Sequence, residues 1–350
     1  MKREEIISVF SQLRKSLLSI GENLGWKGYS SGITEDEYNQ LIELIKREKQ
    51  FNPWFTEENM RASIKGICDL LEPQQLFAFC QKYSYSKNPK RVGIIMAGNL
   101  PFVGFHDVLC VLLSGNSAVC KLSSDDSRFP ALLISWMLNW NSKLKERLEI
   151  SFGTLKNYDA IIATGSNNSM NHFETYFGSY PHIFRKNRTS IAVLDGTETK
   201  EEMEKLSSDC FNYFGMGCRS VSKLFVPKDF NLNRIFEGFI VQSELINHNK
   251  YGNNYDYNRT IYLMNSIPFL DNNCFMLKED ESLHAPLSVV YFEYYSSKEE
   301  INKKLDELKD DIQVVVGRDF VAFGQSQSPK IDDFADGVDT MEWLNQLSSN

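Results

Sequence analysis

Residues 91–123 read RVGIIMAGNLPFVGFHDVLCVLLSGNSAVCKLS, and the alternation of apolar runs with turn residues in this stretch sets the fold. A short apolar run, Val92 to Ala97, ends at Gly98, Asn99 and Pro101. A longer one, Phe102 to Leu113, follows, and Gly115-Asn116 separates it from a second short run, Ala118 to Leu122. Short apolar runs bounded by turn residues read as buried strands and the longer run between them as a helix, so the stretch is a βαβ unit with parallel strands. Open parallel sheets bind ligands beyond the C-terminal ends of their strands. Asn99 follows the first strand and Lys121 closes the second, which puts an amide donor and a cation where a ligand would lie. A plain turn asparagine has the same appearance in sequence.

Further strands are expected near 148–152, 159–163 and 190–194, with helices near 127–146 and 168–177 between most of them, the alternation of an α/β protein. Upstream, Ile6 to Leu18 carries apolar residues at helical spacing, Thr34 and Glu37 form a capping box, and another helix starts after Thr56. Downstream come an acidic helix near 199–213 and strands near 221–226 and 288–293. The polar, tyrosine-rich Asn247 to Arg259 reads as a surface loop. The tail from 325 to 350, with Met341 to Leu347, is expected to pack on a neighbouring subunit.

Cys218 closes the run Phe214-Gly215-Met216-Gly217-Cys218 and precedes the β-rich Val221 to Val226. Glycines let the backbone pass close to a substrate, and a thiol is the side chain most ready to attack a thioester or aldehyde near neutral pH. Taken alone, a cysteine among glycines is more often a small buried residue.

Together these segments resemble the aldehyde dehydrogenase superfamily and, within it, the LuxC-type acyl-CoA reductases. Gly98-Asn99-Leu100-Pro101 is similar to the superfamily's Trp-Asn-x-Pro turn, and Gly115-Asn116 to its Gly-Asn turn. Lys121-Leu122-Ser123-Ser124 is similar to its Lys-Pro-x-Glu, Ala163-Thr164-Gly165-Ser166 to its Phe-Thr-Gly-Ser, and Phe214 to Cys218 to its Gly-Gln-x-Cys loop. The blocks stand in family order from about residue 90 to 325.

The resemblance implies an aldehyde dehydrogenase-like α/β fold with a Rossmann-type parallel-sheet cofactor domain and an α/β catalytic domain. Residues 1–90 would be a helical region packing on the cofactor domain, 91–194 the nicotinamide-binding domain, 195–325 the catalytic domain and 326–350 a tail with a possible oligomer contact. It implies reduction of an acyl-CoA or acyl-carrier-protein thioester to an aldehyde, through an acyl group on Cys218 and hydride from NADPH, with NADH as the alternative. Asn99 and the backbone N–H of Cys218 would donate to the oxyanion. Lys121, Gly165 and Ser166 would hold the cofactor. Glu281, in a run ending Ala285-Pro286-Leu287, is similar to a ribose-binding Glu-x-Phe-Gly-Pro with one extra residue before the proline; an exposed turn glutamate reads the same. An aldehyde dehydrogenase working oxidatively, and a homologue that binds a partner without turnover, are the competing readings. A homo-oligomer is expected.

Two departures from ordinary aldehyde dehydrogenases stand out. No carboxylate occurs in Phe184 to Thr189, where those enzymes carry the glutamate that activates water. Ser124 replaces the glutamate that contacts the adenine ribose, which removes a charge that would repel the 2′-phosphate of NADP. His182, close to the missing glutamate, is a candidate acid or base because an unperturbed imidazole titrates near pH 6.5.

A net charge of −8 argues against a nucleic-acid groove. Arg185, Lys186 and Arg188 form a local basic cluster that could meet a phosphate. The seven cysteines show no zinc-type or disulfide spacing, so no metal is expected and a reducing compartment is. The acids Glu4 and Glu5 in the opening Met1-Lys2-Arg3-Glu4-Glu5 and the shortness of the longest apolar run argue against a leader or a membrane span, and the expected location is the cytoplasm.

Overall fold

The computed structural model describes residues 1–349. The chain divides into two units, Met1–Lys186 with Lys330–Asn350, and Asn187–Pro329.

The first unit opens with helices α1 (Arg3–Gly21), α2 (Glu35–Arg47), α3 (Glu57–Leu70) and α4 (Pro73–Gln81). Ile6, Val9, Phe10, Leu13, Leu17 and Ile20 are the buried stripe of α1, three and four residues apart as an amphipathic helix requires. Thr34 and Glu37 close the expected capping box on α2, and Thr56 caps α3 by accepting from Asn59 N at 3.2 Å. The sheet that follows has five parallel strands, β1 (Arg91–Ile95), β2 (Ser117–Lys121), β3 (Leu148–Ile150), β4 (Ala160–Thr164) and β5 (His182–Arg185), in spatial order β3-β2-β1-β4-β5. Helices α5 (Phe105–Leu113), α6 (Arg128–Trp140) and α7 (Asn167–Phe177) connect them. Strand order reverses direction between β1 and β4, the switch point at which open sheets leave a crevice.

Three local differences from the sequence pattern have simple causes. Helix α5 starts at Phe105 because Phe102 takes a left-handed φ of 53° that a helix cannot include. The single helix expected over 127–146 breaks at Asn141, whose side chain accepts from Lys143 N at 3.1 Å and opens a separate 3-10 turn. The tail folds back into this unit: Met341 and Leu344, in the closing helix Thr340–Ser349, are buried in the same core as α1 and α5, so these residues are not left for a neighbouring subunit.

Arg185, at the end of β5, holds this closing segment. Its guanidinium meets Asp107 at 2.6 Å and donates to Ala335 O and Thr340 Oγ1, both at 2.9 Å. Both members of the ion pair are buried, and a buried arginine committed to a carboxylate, a carbonyl and a hydroxyl is an internal clasp rather than the phosphate contact that its basic neighbours suggest.

The second unit is built on a six-stranded sheet of β6 (Thr189–Val193), β7 (Val221–Pro227), β8 (Leu270–Asp271), β9 (Met276–Glu279), β10 (Val289–Tyr295) and β11 (Ile312–Val316). The order is β11-β6-β7-β10-β9-β8, parallel except for the short edge strand β8. Its helices are α8 (Lys200–Phe211), α9 (Asn233–Phe239), α10 (Asn249–Met264) and α11 (Lys298–Leu308). The strand Thr189–Val193, which the apolar pattern groups with the strands before it, pairs here with β7 and β11. An apolar run announces a strand but not the sheet it joins. The expected loop over 247–259 is α10, which buries Tyr251, Tyr255, Asn258 and Tyr262; their spacing of four, three and four residues is a helical stripe made of polar residue types.

Candidate active site

Within the first unit, the ends of β1, β2 and β4 bring five of the singled-out residues to one rim of the sheet. Asn99 is exposed on the turn after β1. Its neighbour Gly98 has to be a glycine, because a Cβ there would collide with the Ser123 side chain. The turn then passes through left-handed Phe102, whose N–H donates to Asp126 Oδ2 at 2.5 Å. Asp126 is 3% exposed, its Oδ1 has no partner, and burial pushes its carboxyl up to about 7 against the pull of the Phe102 N–H.

Lys121 closes β2, and its Nζ donates to the Gly153 carbonyl just beyond β3. Ser124 is exposed in the next turn, beside an exposed carboxylate, Asp125. Gly165 links β4 to α7 and tolerates no side chain, since a Cβ would lie 2.8 Å from Ser169 Cβ. Ser166 is the N-cap of α7, its hydroxyl 3.1 Å from that of Ser169. An ammonium, two hydroxyls and the first-turn N–H groups of an 11-residue helix form a donor set suited to phosphate and ribose oxygens.

His182 does not join this group. It begins β5 opposite Ile161, whereas the C-terminal rim is reached only at Arg185 opposite Thr164. Its ring stacks on Phe184 with centroids 3.9 Å apart, and Nδ1 lies 2.8 Å from Tyr180 O.

In the second unit, Cys218 is carried on a strained reversal between α8 and β7. Tyr213, Phe214 and Gly215 have φ of 53°, 58° and 78° in succession. Two bulky residues in the left-handed region are costly and persist only where the surroundings impose them. Phe214 is buried against the rings of His248 and Tyr251, 4.3 and 6.2 Å away. Gly217 N and O bond to Ser220 Oγ and N at 3.2 and 2.9 Å. Ser190 Oγ donates to Cys218 O at 2.9 Å, Arg219 Nη1 donates to Ser326 O at 3.1 Å, and Cys218 Sγ lies 3.9 Å from Asn187 Oδ1. Among the seven free cysteines Cys218 alone is not buried. Burial raises the thiols of Cys274 to about 11 and of Cys68 to about 12, and it also raises those of Cys110 and Cys210.

Glu281 is exposed on the turn after β9. That turn is bolted to β7: Lys223 Nζ donates to Asp280 O at 2.8 Å and Ser222 Oγ to Leu283 O at 2.6 Å. Lys223 is wholly buried, and burial lowers its pKa while its partner Glu293, at 2.5 Å, opposes the fall. Nothing in the local sequence marks Lys223, Ser190 or Asn187, because their importance arises from partners 28 to 70 residues away. Among the described residues no His, Cys, Asp and Glu group could hold a metal ion, and no helix is long and apolar enough to cross a membrane.

The sequence profile of the acyl-CoA reductase (LuxC) family matches residues 1–237, well over half of the 350-residue chain. No curated protein matches it. Solved structures that share its architecture include aldehyde dehydrogenase 21 from Physcomitrella patens in complex with the reaction product succinate, at 12% identity over 96% of this chain and 84% of that one, with a TM-score of 0.61. Indole-3-acetaldehyde dehydrogenase from P. syringae, a mutant in complex with NAD+ and IAA, gives 11% identity over 90% and 72%, with a TM-score of 0.62. Betaine aldehyde dehydrogenase from Staphylococcus aureus gives 12% over 88% and 70%, with a TM-score of 0.59. At such identities the likeness establishes the fold, which is that of the aldehyde dehydrogenases.

Proposed function

Because the chain belongs to the LuxC family of acyl-CoA reductases, we propose that it reduces an acyl thioester to an aldehyde with Cys218 as the nucleophile. The observation that carries this is that Cys218, on a loop held in left-handed geometry, is only partly buried, while the other six cysteines are buried. The Cys218 sulfur attacks the thioester carbonyl and a new C–S bond forms. The bond to the carrier sulfur breaks, the carrier leaves as a thiol with the proton Cys218 gave up, and the acyl group stays on Cys218. Asn99 is the side chain assigned, on the family resemblance, to donate to the oxyanion of that step. One such donor contributes about 3–4 kcal/mol in the transition state.

When bound, a reduced nicotinamide supplies the hydride that takes the acyl group to the aldehyde level. Lys121, Ser166 and the first turn of α7 would hold its phosphates, with Gly165 allowing the close approach of α7 to β4. Ser124 is the position at which NADPH would be favoured over NADH. Glu281 is assigned to the nicotinamide ribose, on a turn fixed by Lys223 and Ser222. His182 takes no part, being at the far end of β5 from the ligand-binding rim. The acyl donor is acyl-CoA or an acyl carrier protein.

The test is a series of acyl-CoA substrates from acetyl to palmitoyl, each given to the purified protein with NADPH. Nucleotide oxidation matched by aldehyde is the expected result. No oxidation with any member, alongside reduction of NAD+ by added aldehydes, would favour the oxidative reading instead.

A further inference from the structure

We infer that Asn52, from the helical region ahead of the first strand, is a positioning residue for the Asn99 turn; the inference rests on the role proposed above for Asn99. Asn52 is 7% exposed. Its Nδ2 donates to Gly98 O at 3.2 Å and to Asp125 O at 3.3 Å, and its Oδ1 accepts from Trp54 N at 3.2 Å. One amide therefore bridges the carbonyls of two separate turns, one residue before Asn99 and one residue after Ser124. Only a side chain with two N–H donors and an acceptor on one planar group can do this from a single position.

Two further contacts hold the same turn from outside: Ser63 Oγ donates to Pro101 O at 2.7 Å, and Asp126 Oδ2 accepts from Phe102 N at 2.5 Å. Together the three fix the backbone on both sides of an otherwise exposed asparagine. Of the three, Asn52 is the one bonded next to Asn99, and from outside both turns it also reaches the Asp125 carbonyl in the turn after β2. Asn52 need not touch substrate; it acts by fixing the backbone from which the Asn99 amide projects. A catalytic donor displaced by about 1 Å can lose on the order of 100-fold in rate.

A residue that works through Asn99 has nothing left to do once the Asn99 amide is removed, so the two substitutions should not combine. The experiment measures the rate of Cys218 acylation by quenched-flow mass spectrometry in the full chain, without nucleotide, using the acyl-CoA turned over fastest in the series above. Wild type, Asn52→Ala, Asn99→Ala and the double variant are compared, with urea denaturation of each as the folding control. Asn52→Ala should slow acylation roughly 10-fold and Asn99→Ala roughly 100-fold, with the double variant no slower than Asn99→Ala alone. A double variant slowed by the product of the two effects, or Asn52→Ala acylating at the wild-type rate, overturns the positioning role and leaves Asn99 as the donor. Asn99→Ala acylating at the wild-type rate overturns the assignment of Asn99 and this inference with it. If Asn52→Ala is not recovered folded, Asn52→Asp, which keeps the side-chain shape and the acceptor for Trp54 N–H, replaces it in the same cycle.

Discussion

At the rim of the first sheet, Lys121 closes β2, and Asn99, Ser124, Gly165 and Ser166 follow the ends of three parallel strands on strand-to-helix connections. Cys218 in the second unit stands on a reversal with three consecutive left-handed residues, tied down by Ser190, Ser220 and a ring cluster around Phe214. Most of the rim needs only that the sheet form, since parallel topology then brings strand ends together; the Asn99 turn is also bonded by Asn52, Ser63 and Asp126. The loop needs particular distant partners before it can take its shape at all. Substitutions at Lys121, Ser124, Gly165 and Ser166 should therefore grade affinity and selectivity, whereas substitutions at Cys218, and at its proposed oxyanion donor Asn99, should act on the chemical step.

The sharpest contrast is expected from Cys218→Ala. Turnover should fall by at least about 1,000-fold while the dissociation constant for NADPH, read by fluorescence titration, stays near the wild-type value. Loss of nucleotide binding in that variant would break the division of labour between loop and rim.

The next effect concerns the fate of the acyl group. No carboxylate lies between Phe184 and Thr189, and Arg185 in that segment is spent on Asp107. A positioned general base contributes about 100- to 10,000-fold, so the Cys218 acyl-enzyme should resist water and pass its acyl group to an added thiol instead. With acyl-CoA and no nucleotide, free acid should appear at least about 100-fold more slowly than aldehyde does with NADPH. Acid released as fast as aldehyde forms would mean that another group activates water, and would favour the aldehyde-oxidising reading.

At the rim the expected changes are smaller. Ser124→Glu should move the ratio of kcat/KM for NADPH over NADH toward NADH by about tenfold, the equivalent of 1.4 kcal/mol. Asp125 is the neighbouring carboxylate, and Asp125→Ser should move the ratio the other way. An unchanged ratio in both variants would remove this turn from cofactor selection.

A separate effect, on stability rather than on activity, is expected beside the rim. Burial holds the Asp126 carboxyl at about 7, above its value in an unfolded chain, so the proton on it favours the folded state below about pH 4 and that contribution is lost as pH rises through 7. Asp126→Asn keeps an acceptor for Phe102 N–H and has no charge to desolvate. In urea denaturation it should match wild type near pH 4 and exceed it by about 2–4 kcal/mol at pH 8. A wild type that is the more stable at pH 8 would show the carboxylate to be a favourable part of the turn.

The same contrast explains what could be read from sequence. Residues 91–123 carry their own periodicity and turn residues, so β1, α5, β2 and the positions of Asn99 and Lys121 follow from the chain itself. Cys218 was conspicuous through its flanking glycines. The supports of both places were not: Asn52, Asp126, Ser190 and Lys223 are ordinary residues locally and matter only through contacts made across many residues. Helix α10 was hidden for a different reason, because its buried stripe is tyrosine and asparagine rather than leucine or isoleucine. The strand Thr189–Val193 was visible as a strand, but only pairing assigns it to the second sheet.

The proposed reaction depends above all on Cys218 carrying the acyl group. Intact-protein and peptide mass spectrometry after exposure to acyl-CoA without reductant tests it most directly. One acyl adduct is expected, on Cys218 and absent from Cys218→Ala; an adduct on Cys210 instead, or none on any cysteine while aldehyde is still formed on adding NADPH, would rule Cys218 out as the nucleophile.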